Sequence, residues 1–275
     1  MSRAGNIKAA RQLFDNMPTP DVVSWNSIIT GYWQNGCLQE SKKLFDLMPG
    51  RNILSWNSMI AGCVENGRVD EAFEYFKAMP ERNTESYNAM ISGFVRWERI
   101  DEARVLFEEM PRKNVISYTA MIDGYMKTGE VEKARALFDG MQRRNVVSWT
   151  VMISGYVDNG KFDEARDLYE RMPNKNVVAM TAMIMGYFKE GRVEDAGVLF
   201  DEIRYKDLVC WNAVITGNAN SFIYYRVHML VWLMNDDYSD KKRKKRNSLT
   251  IVVLCSESEG KIVALCSFHF LRENA

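Results

Sequence analysis

Apolar positions along this chain follow a helical period that restarts at a fixed interval. An aromatic residue (Trp25, Trp56, Tyr87, Tyr118, Trp149) is followed three and four residues later by an apolar pair: Ile28/Ile29, Met59/Ile60, Met90/Ile91, Met121/Ile122 and Met152/Ile153. That spacing lays one buried stripe along a helix. A second stripe follows, carried by Ala72, Leu106, Phe107, Met110 and their equivalents. Turn residues separate the two: Asn35-Gly36, Asn66-Gly67, Gly129, Asn159-Gly160 and Gly191. Acidic residues open the second stripe (Asp70-Glu71, Asp101-Glu102, Asp163-Glu164), where the helix dipole favours them. Met-Pro closes it at Pro49, Pro80, Pro111 and Pro173, because proline cannot continue the hydrogen-bond ladder. Each unit is therefore predicted to be two helices.

The interval is 31 residues. Units run over 22–52, 53–83, 84–114, 115–145, 146–176 and 177–207 without an insertion. Residues 1–21 match the second half of a unit, 208–217 begin a truncated one, and 218–275 form a non-repeat tail. A hairpin of two short helices cannot bury both stripes alone, whereas stacked neighbours can. The expectation is an all-α fold: a right-handed or left-handed superhelical α-solenoid of helix-turn-helix repeats with one concave face. A glycine two residues beyond each apolar pair (Gly31, Gly62, Gly93, Gly124, Gly155, Gly186) recurs. Glycine there costs about 1 kcal/mol of helix stability, so its recurrence predicts close helix approach. The methionines and aromatics on the stripes read as core, not as a cofactor box.

Charge narrows the function little. Residues 1–217 hold 27 basic and 30 acidic side chains, and 218–275 hold 9 and 6, so binding to a polyanion must come from local placement. Five cysteines without a C-x-x-C suggest neither a disulfide framework nor a zinc site. Cys255, Cys266 and His269 make three loosely spaced candidates. The apolar run Phe222–Met234 is too short and too charged to span a bilayer. No catalytic centre, cofactor site or small-molecule site is legible. In the tail, KKRKKR (241–246) reads as a charged linker, a nuclear import patch or an RNA-phosphate contact. TIVVLCSESEGKIVALCSF predicts a hairpin about Ser258–Gly260. The tail beyond 220 is expected to be poorly ordered or loosely packed.

One polar position does not fit a packing pattern. The residue after each aromatic is Asn26, Asn57, Asn88, Thr119, Thr150 or Thr181, one of two small hydrogen-bonding types throughout. Helix capping is one explanation. However, these residues sit two places inside the likely start, after Ser24, Ser55 or Ser148.

Tandem units such as VVSWNSIITGYWQNGCLQESKKLFDLMPGRN resemble the pentatricopeptide repeat family, in its short 31-residue form, from Met1 to about Gly217. The resemblance implies sequence-specific single-stranded RNA binding, one base per repeat, with N-terminal repeats toward the RNA 5′ end. It implies a role in organellar RNA maturation (editing-site choice, splicing or stability), with protein factors of RNA processing as further partners. A mitochondrial or chloroplast destination would call for a transit peptide. The opening MSRAGNIKAARQLF reads instead as the inside of a repeat. Many relatives carry a zinc deaminase domain, whose H-x-E and P-C-x-x-C are absent here.

In the family two residues per repeat read a base: the one after the aromatic and the last of the unit. Here the pairs are Asn26/Asn52, Asn57/Asn83, Asn88/Asn114, Thr119/Asn145, Thr150/Asn176 and Thr181/Asp207. Ionised Asp only accepts hydrogen bonds, which suits guanine or uracil, while Asn donates and accepts, matching adenine or cytosine. Family usage pairs Thr with purines and Asn with pyrimidines, implying 5′-CCCAAG-3′ with U tolerated at the first three positions. Bases are sandwiched by apolar residues at the second place of each unit: Val23, Leu54, Ile116, Val147, Val178 and Val209 fit, and Glu85 does not. Arg96, Lys127 and Lys189 occupy a phosphate-proximal place that Gln34, Glu65 and Asp158 hold in other units. The rival reading is a tetratricopeptide-like protein-interaction scaffold, whose unit is 34 residues long. Such a scaffold has no reason to keep the paired Asn/Thr and Asn/Asp positions.

Overall fold

Each 31-residue unit folds as two helices joined by a tight turn. The first helices are α2 (Val22–Gln34), α4 (Ile53–Glu65), α6 (Thr84–Arg96), α8 (Val115–Lys127), α10 (Val146–Asp158) and α12 (Val177–Lys189). The second helices are α3 (Leu38–Leu47), α5 (Val69–Ala78), α7 (Ile100–Glu109), α9 (Val131–Gly140), α11 (Phe162–Arg171) and α13 (Val193–Glu202). A lone helix α1 (Arg3–Asp15) precedes them and α14 (Leu208–Ala219) follows. The computed structural model describes the backbone of residues 3–219, 249–258 and 261–270, and the side chains of 7–217. The helices make an α-solenoid. Contacts divide the chain into two units, Met1–Met183 and Ile184–Ala275.

In the first unit the helices of each repeat pack on one another, and each first helix also packs on the next: α2 on α4, α4 on α6, α6 on α8 and α8 on α10. The predicted stripes are the core. Ile29, Met59, Ile60, Met90, Ile91, Met121, Ile122, Met152 and Ile153 are fully buried. The second helices stop at Met48, Met79, Met110 and Met172, which adopt extended or near-extended backbone. The proline that follows each disfavours helical geometry there.

The recurrent glycines sit where a first helix meets the preceding repeat. A Cβ on Gly62 would lie 2.7 Å from Trp33, on Gly93 2.7 Å from Val64, on Gly124 2.5 Å from Ile100 and on Gly155 2.4 Å from Met126. The close approach read from the sequence is real. The turn within each repeat needs a left-handed residue, supplied by Gly36, Gly67, Gly129, Gly160 and Gly191 (φ 71° to 76°). The third repeat carries no glycine there, and Glu98 adopts φ 59° instead. Its neighbour Trp97 donates from Nε1 to Val64 O (3.1 Å), just as Asn66 Nδ2 reaches Trp33 O (3.3 Å) and Asn159 Nδ2 reaches Met126 O (2.9 Å). One inter-repeat bond is thus kept through a change from amide to indole.

In the tail, β1 (Leu249–Ser258) and β2 (Lys261–Phe270) pair antiparallel, from Leu249 opposite Phe270 to Ser258 opposite Lys261. The expected hairpin is present and adds two strands to the helical class. The basic run 241–246 and the expected loose packing over 220–248 lie outside the described residues, as do the side chains of Cys255, Cys266 and His269.

Overpacking costs about 1–3 kcal/mol and removal of a helical glycine returns about 1. Gly93→Ala, facing the β-branched Val64, should therefore lower urea-unfolding stability, and Gly155→Ala, facing the flexible Met126, should lower it less. Equal effects at the two sites would show that side-chain stiffness does not govern the approach.

Candidate nucleic-acid interface

The last residue of each unit is the N-cap of the next first helix. Asn52, Asn83, Asn114 and Asn145 have extended backbone and precede α4, α6, α8 and α10. Each Oδ1 accepts the backbone N–H of the third helical residue: Ser55 at 3.0 Å, Ser86 at 2.9 Å, Ser117 at 3.0 Å and Ser148 at 2.9 Å. The serine Oγ in turn accepts the asparagine N–H at 3.3, 3.0, 2.9 and 3.1 Å, closing a capping box. Asn176 makes only the first half, accepting from Ala179 N at 2.8 Å, and Asp207 accepts from Cys210 N at 2.9 Å. The hydrogen bonds from Cys210 hold the Asp207 carboxyl below its ordinary range, so it is ionised at neutral pH.

This refines the chemistry read from the sequence. The carbonyl oxygen of these asparagines is committed to a helix end. What remains is Nδ2, a donor, which makes no hydrogen bond in Asn52, Asn83, Asn114 or Asn145 among the described residues. Asp207 instead has a second carboxylate oxygen, an acceptor. The signal was present as Asn-x-x-Ser in NILS, NTES, NVIS and NVVS.

The residue before each cap closes the preceding helix. Arg51, Arg82 and Arg144 donate from Nε to the carbonyls of Phe45, Phe76 and Phe138 (2.9, 2.8 and 2.9 Å) and from Nη2 to the next carbonyl. Each guanidinium lies over the same phenylalanine ring, and Lys113, Lys175 and Lys206 lie over Phe107, Tyr169 and Phe200. Those phenylalanines also meet the first-helix aromatic edge-on, as in Phe45–Trp56 at 5.0 Å and Phe138–Trp149 at 5.1 Å. A cation and two rings therefore fix the chain just before the cap. Sequence reasoning missed this six-fold Arg/Lys position.

The residue after the aromatic is the fifth of its helix and caps nothing. Thr119, Thr150 and Thr181 donate from Oγ1 to the carbonyl four residues back, at 2.7, 2.8 and 2.8 Å. Asn26, Asn57 and Asn88 each hold a buried Oδ1 without a hydrogen-bond partner. Unpaired buried acceptors are costly, and three of the four such oxygens among the described residues fall at this one repeat position, the fourth being Asn35 Oδ1. The structure also brings paired residues together. Asn57 Nδ2 lies 3.5 Å from Asn83 Oδ1, and Thr150 Oγ1 lies 3.4 Å from Asn176 Oδ1. No such bond joins Asn26 to Asn52, Asn88 to Asn114 or Thr119 to Asn145 among the described residues.

Val23, Leu54, Ile116, Val147 and Val178, and Val209 in the unit Ile184–Ala275, are 56–69% exposed, an uncovered apolar residue at the same place in every repeat but the third. Glu85, at the same place in the third repeat, is exposed too. A cleft of about 440 Å³ gathers Arg51, Asn52, Leu54, Trp56 and Glu81. The cations chosen for phosphates are placed less simply. Arg96 is paired with Glu65 of the preceding repeat, and Lys127 with Asp123 at 2.6 Å. Lys189 is exposed at the end of α12. Among the described residues, no three His, Cys, Asp or Glu side chains gather to hold a metal, and no helix is long and apolar enough to cross a membrane.

Removing a cap costs about 0.5–2 kcal/mol. Asn145→Ala should thus destabilise the protein by that amount in urea titration, while Thr150→Ala, which removes no cap, should cost less. The reverse order would contradict the assignment of caps.

Known proteins share the repeat and the fold. The PPR repeat family model matches residues 23–53, 54–84, 85–115, 147–177 and 178–208, and a second PPR repeat family model matches 113–146. A chloroplastic pentatricopeptide repeat-containing protein of Arabidopsis thaliana is 50% identical over 38 residues, 14% of this chain and 4% of the relative. A putative mitochondrial one, also from Arabidopsis thaliana, is 47% identical over 34 residues, 12% of this chain and 6% of the relative. The matched stretches thus span a small part of these relatives. Among solved structures, the maize pentatricopeptide repeat protein PPR10 superposes with a TM-score of 0.63 at 16% identity, covering 86% of this chain and 37% of PPR10. A tetratricopeptide repeat protein from Parabacteroides merdae superposes with a TM-score of 0.53 at 13% identity, covering 78% of this chain and 92% of that one. With family models matched across six successive 31-residue units, the chain belongs to the pentatricopeptide repeat family.

Proposed function

We propose that the repeats bind single-stranded RNA, one base per repeat, reading 5′-CCCAAG-3′ from the unit at 22–52 to the unit at 177–207, with U tolerated at the first three positions. The observation that carries this is the pairing of an unfilled polar position with a capping residue beside an uncovered apolar row. Each apolar residue offers a face for a base to stack on. The capping residue offers one edge of hydrogen-bonding chemistry: a donor in Asn, matching adenine N1 or cytosine N3, and an acceptor in Asp207, matching guanine N1–H. The first-helix residue sets size. Thr reaches one bond less far than Asn, which leaves room for a purine. PPR10 has been solved with an 18-nucleotide psaJ RNA element, and its fold is the one shared here.

The relatives named chloroplastic and mitochondrial support an organellar site of action, in RNA maturation through editing-site choice, splicing or stability. We assign the chain no catalysis of its own. Protein factors of RNA processing are the natural further partners. The tetratricopeptide-like scaffold reading has the Parabacteroides superposition in its favour. It leaves the buried unpaired oxygens of Asn26, Asn57 and Asn88 without a purpose.

Thr150→Asn recreates the pair at Asn57 and Asn83. It should move the fifth base preference from A to C and leave the other five unchanged. The shift should be about 1–3 kcal/mol of discrimination, measured by titrating wild type and variant against CCCAAG and CCCACG RNAs. Equal losses on both RNAs would defeat the reading.

Binding should be only weakly salt-dependent, because Glu65 and Asp123 already neutralise Arg96 and Lys127. Glu65→Gln frees Arg96 for a phosphate and should tighten binding while steepening the log–log salt slope by about 0.7. An unchanged slope would remove Arg96 from the RNA path.

A further inference from the structure

Resting on the RNA-reading proposal, we infer that the serine at the third position of a first helix is a specificity-determining positioning residue, acting through the asparagine that caps that helix. An asparagine side chain is nearly symmetric in shape. Turning it half a revolution exchanges its carbonyl oxygen for its amino group and converts a donor facing the RNA into an acceptor. A cap asparagine in one orientation matches cytosine or adenine; in the other it matches uracil or guanine. Discrimination between C and U, or between A and G, therefore depends on what holds the amide in one orientation.

The repeats differ in this respect. In Asn83 the Oδ1 accepts from Ser86 N at 2.9 Å and from Ser86 Oγ at 2.7 Å; Asn52 is held alike by Ser55 at 3.0 and 3.0 Å. At Asn114 and Asn145 the serine hydroxyl donates instead to the asparagine's main-chain carbonyl, at 2.9 Å in both, so it anchors the backbone of the cap and not the amide. All four serines are completely buried. Asn176 has no serine: Ala179 stands in its place, and the amide is held by the Ala179 backbone N–H and a longer approach of Thr150 Oγ1. The amides of Asn52 and Asn83 are thus the most firmly set, each by two short bonds, while Asn114, Asn145 and Asn176 keep a single short bond to a backbone N–H.

A second position that prefers C while still tolerating U, and a less selective fifth position, follow. On the whole 275-residue chain, Ser86→Ala should reduce the preference for C over U at the second base, compared on CCCAAG and CUCAAG RNAs. Ala179→Ser should raise the preference for A over G at the fifth base, compared on CCCAAG and CCCAGG. Each change should be about two- to tenfold in the affinity ratio, the worth of one hydrogen bond. The preference at the fourth base should stay as in wild type in both variants. Ala179→Ser adds a group that the same position already accommodates in five other repeats, so it tests the idea even if Ser86→Ala unfolds. If Ala179→Ser raises the melting temperature but leaves the A:G ratio unchanged, the serine is a cap partner alone and the inference fails. If wild type shows no preference among any of these RNAs, it is the RNA-reading proposal that fails, and this inference with it.

Discussion

The hydrogen bond from the third residue of a helix to the side chain that precedes it is the constraint on which the rest of this structure turns. Four backbone N–H groups at a helix start lack partners within the helix, and a side-chain oxygen just ahead must satisfy one of them. Here that oxygen belongs to Asn52, Asn83, Asn114, Asn145, Asn176 or Asp207. The residue that a base would meet is thus held in place by the folding requirement of its own repeat. Because Asn and Asp both cap well, the choice between them is free of a stability penalty and available for recognition. That freedom would be absent at a packed position, where shape decides the residue.

The same junction explains why the cap is so reproducibly placed. The arginine or lysine just before it closes the preceding helix, lying over a phenylalanine that itself packs on the next repeat's aromatic. The chain between two helices is pinned at both ends within two residues. These cations serve the fold first, so their presence does not make the surface broadly basic, in keeping with a repeat region whose acidic side chains outnumber its basic ones. The pairing of Arg96 with Glu65 and Lys127 with Asp123 has the same effect. On the RNA-reading proposal, a weak electrostatic grip would leave more of the affinity to base contacts.

The helical fold was legible because burial is periodic: one apolar stripe per helix, repeated without an insertion, admits few arrangements. The close approach at Gly62, Gly93, Gly124 and Gly155 was legible for the same reason, since only contact explains a recurrent helix-weakening residue. The capping role of Asn52 and its equivalents was legible in principle from Asn-x-x-Ser, yet it was obscured because the same residue also reads as a base contact. Ion pairs were less accessible. Glu65 and Arg96 hold the same place in successive repeats, and reading them as alternatives hid that stacking makes them neighbours. Glu98 shows the opposite case, where a turn persists without its glycine because the surrounding helices determine the backbone.

The central claim is that one residue both caps a helix and chooses a base, and Asn145→Asp tests it most directly. Selection from an RNA pool randomised at all six positions, run on wild type and variant, would be read beside their urea-unfolding curves. The account predicts a wild-type consensus of CCCAAG, a variant consensus changed only at the fourth base from A to G, and stabilities within about 0.5 kcal/mol, since both residues cap equally well. An unchanged consensus, or a fourth-base preference lost together with stability, would contradict it.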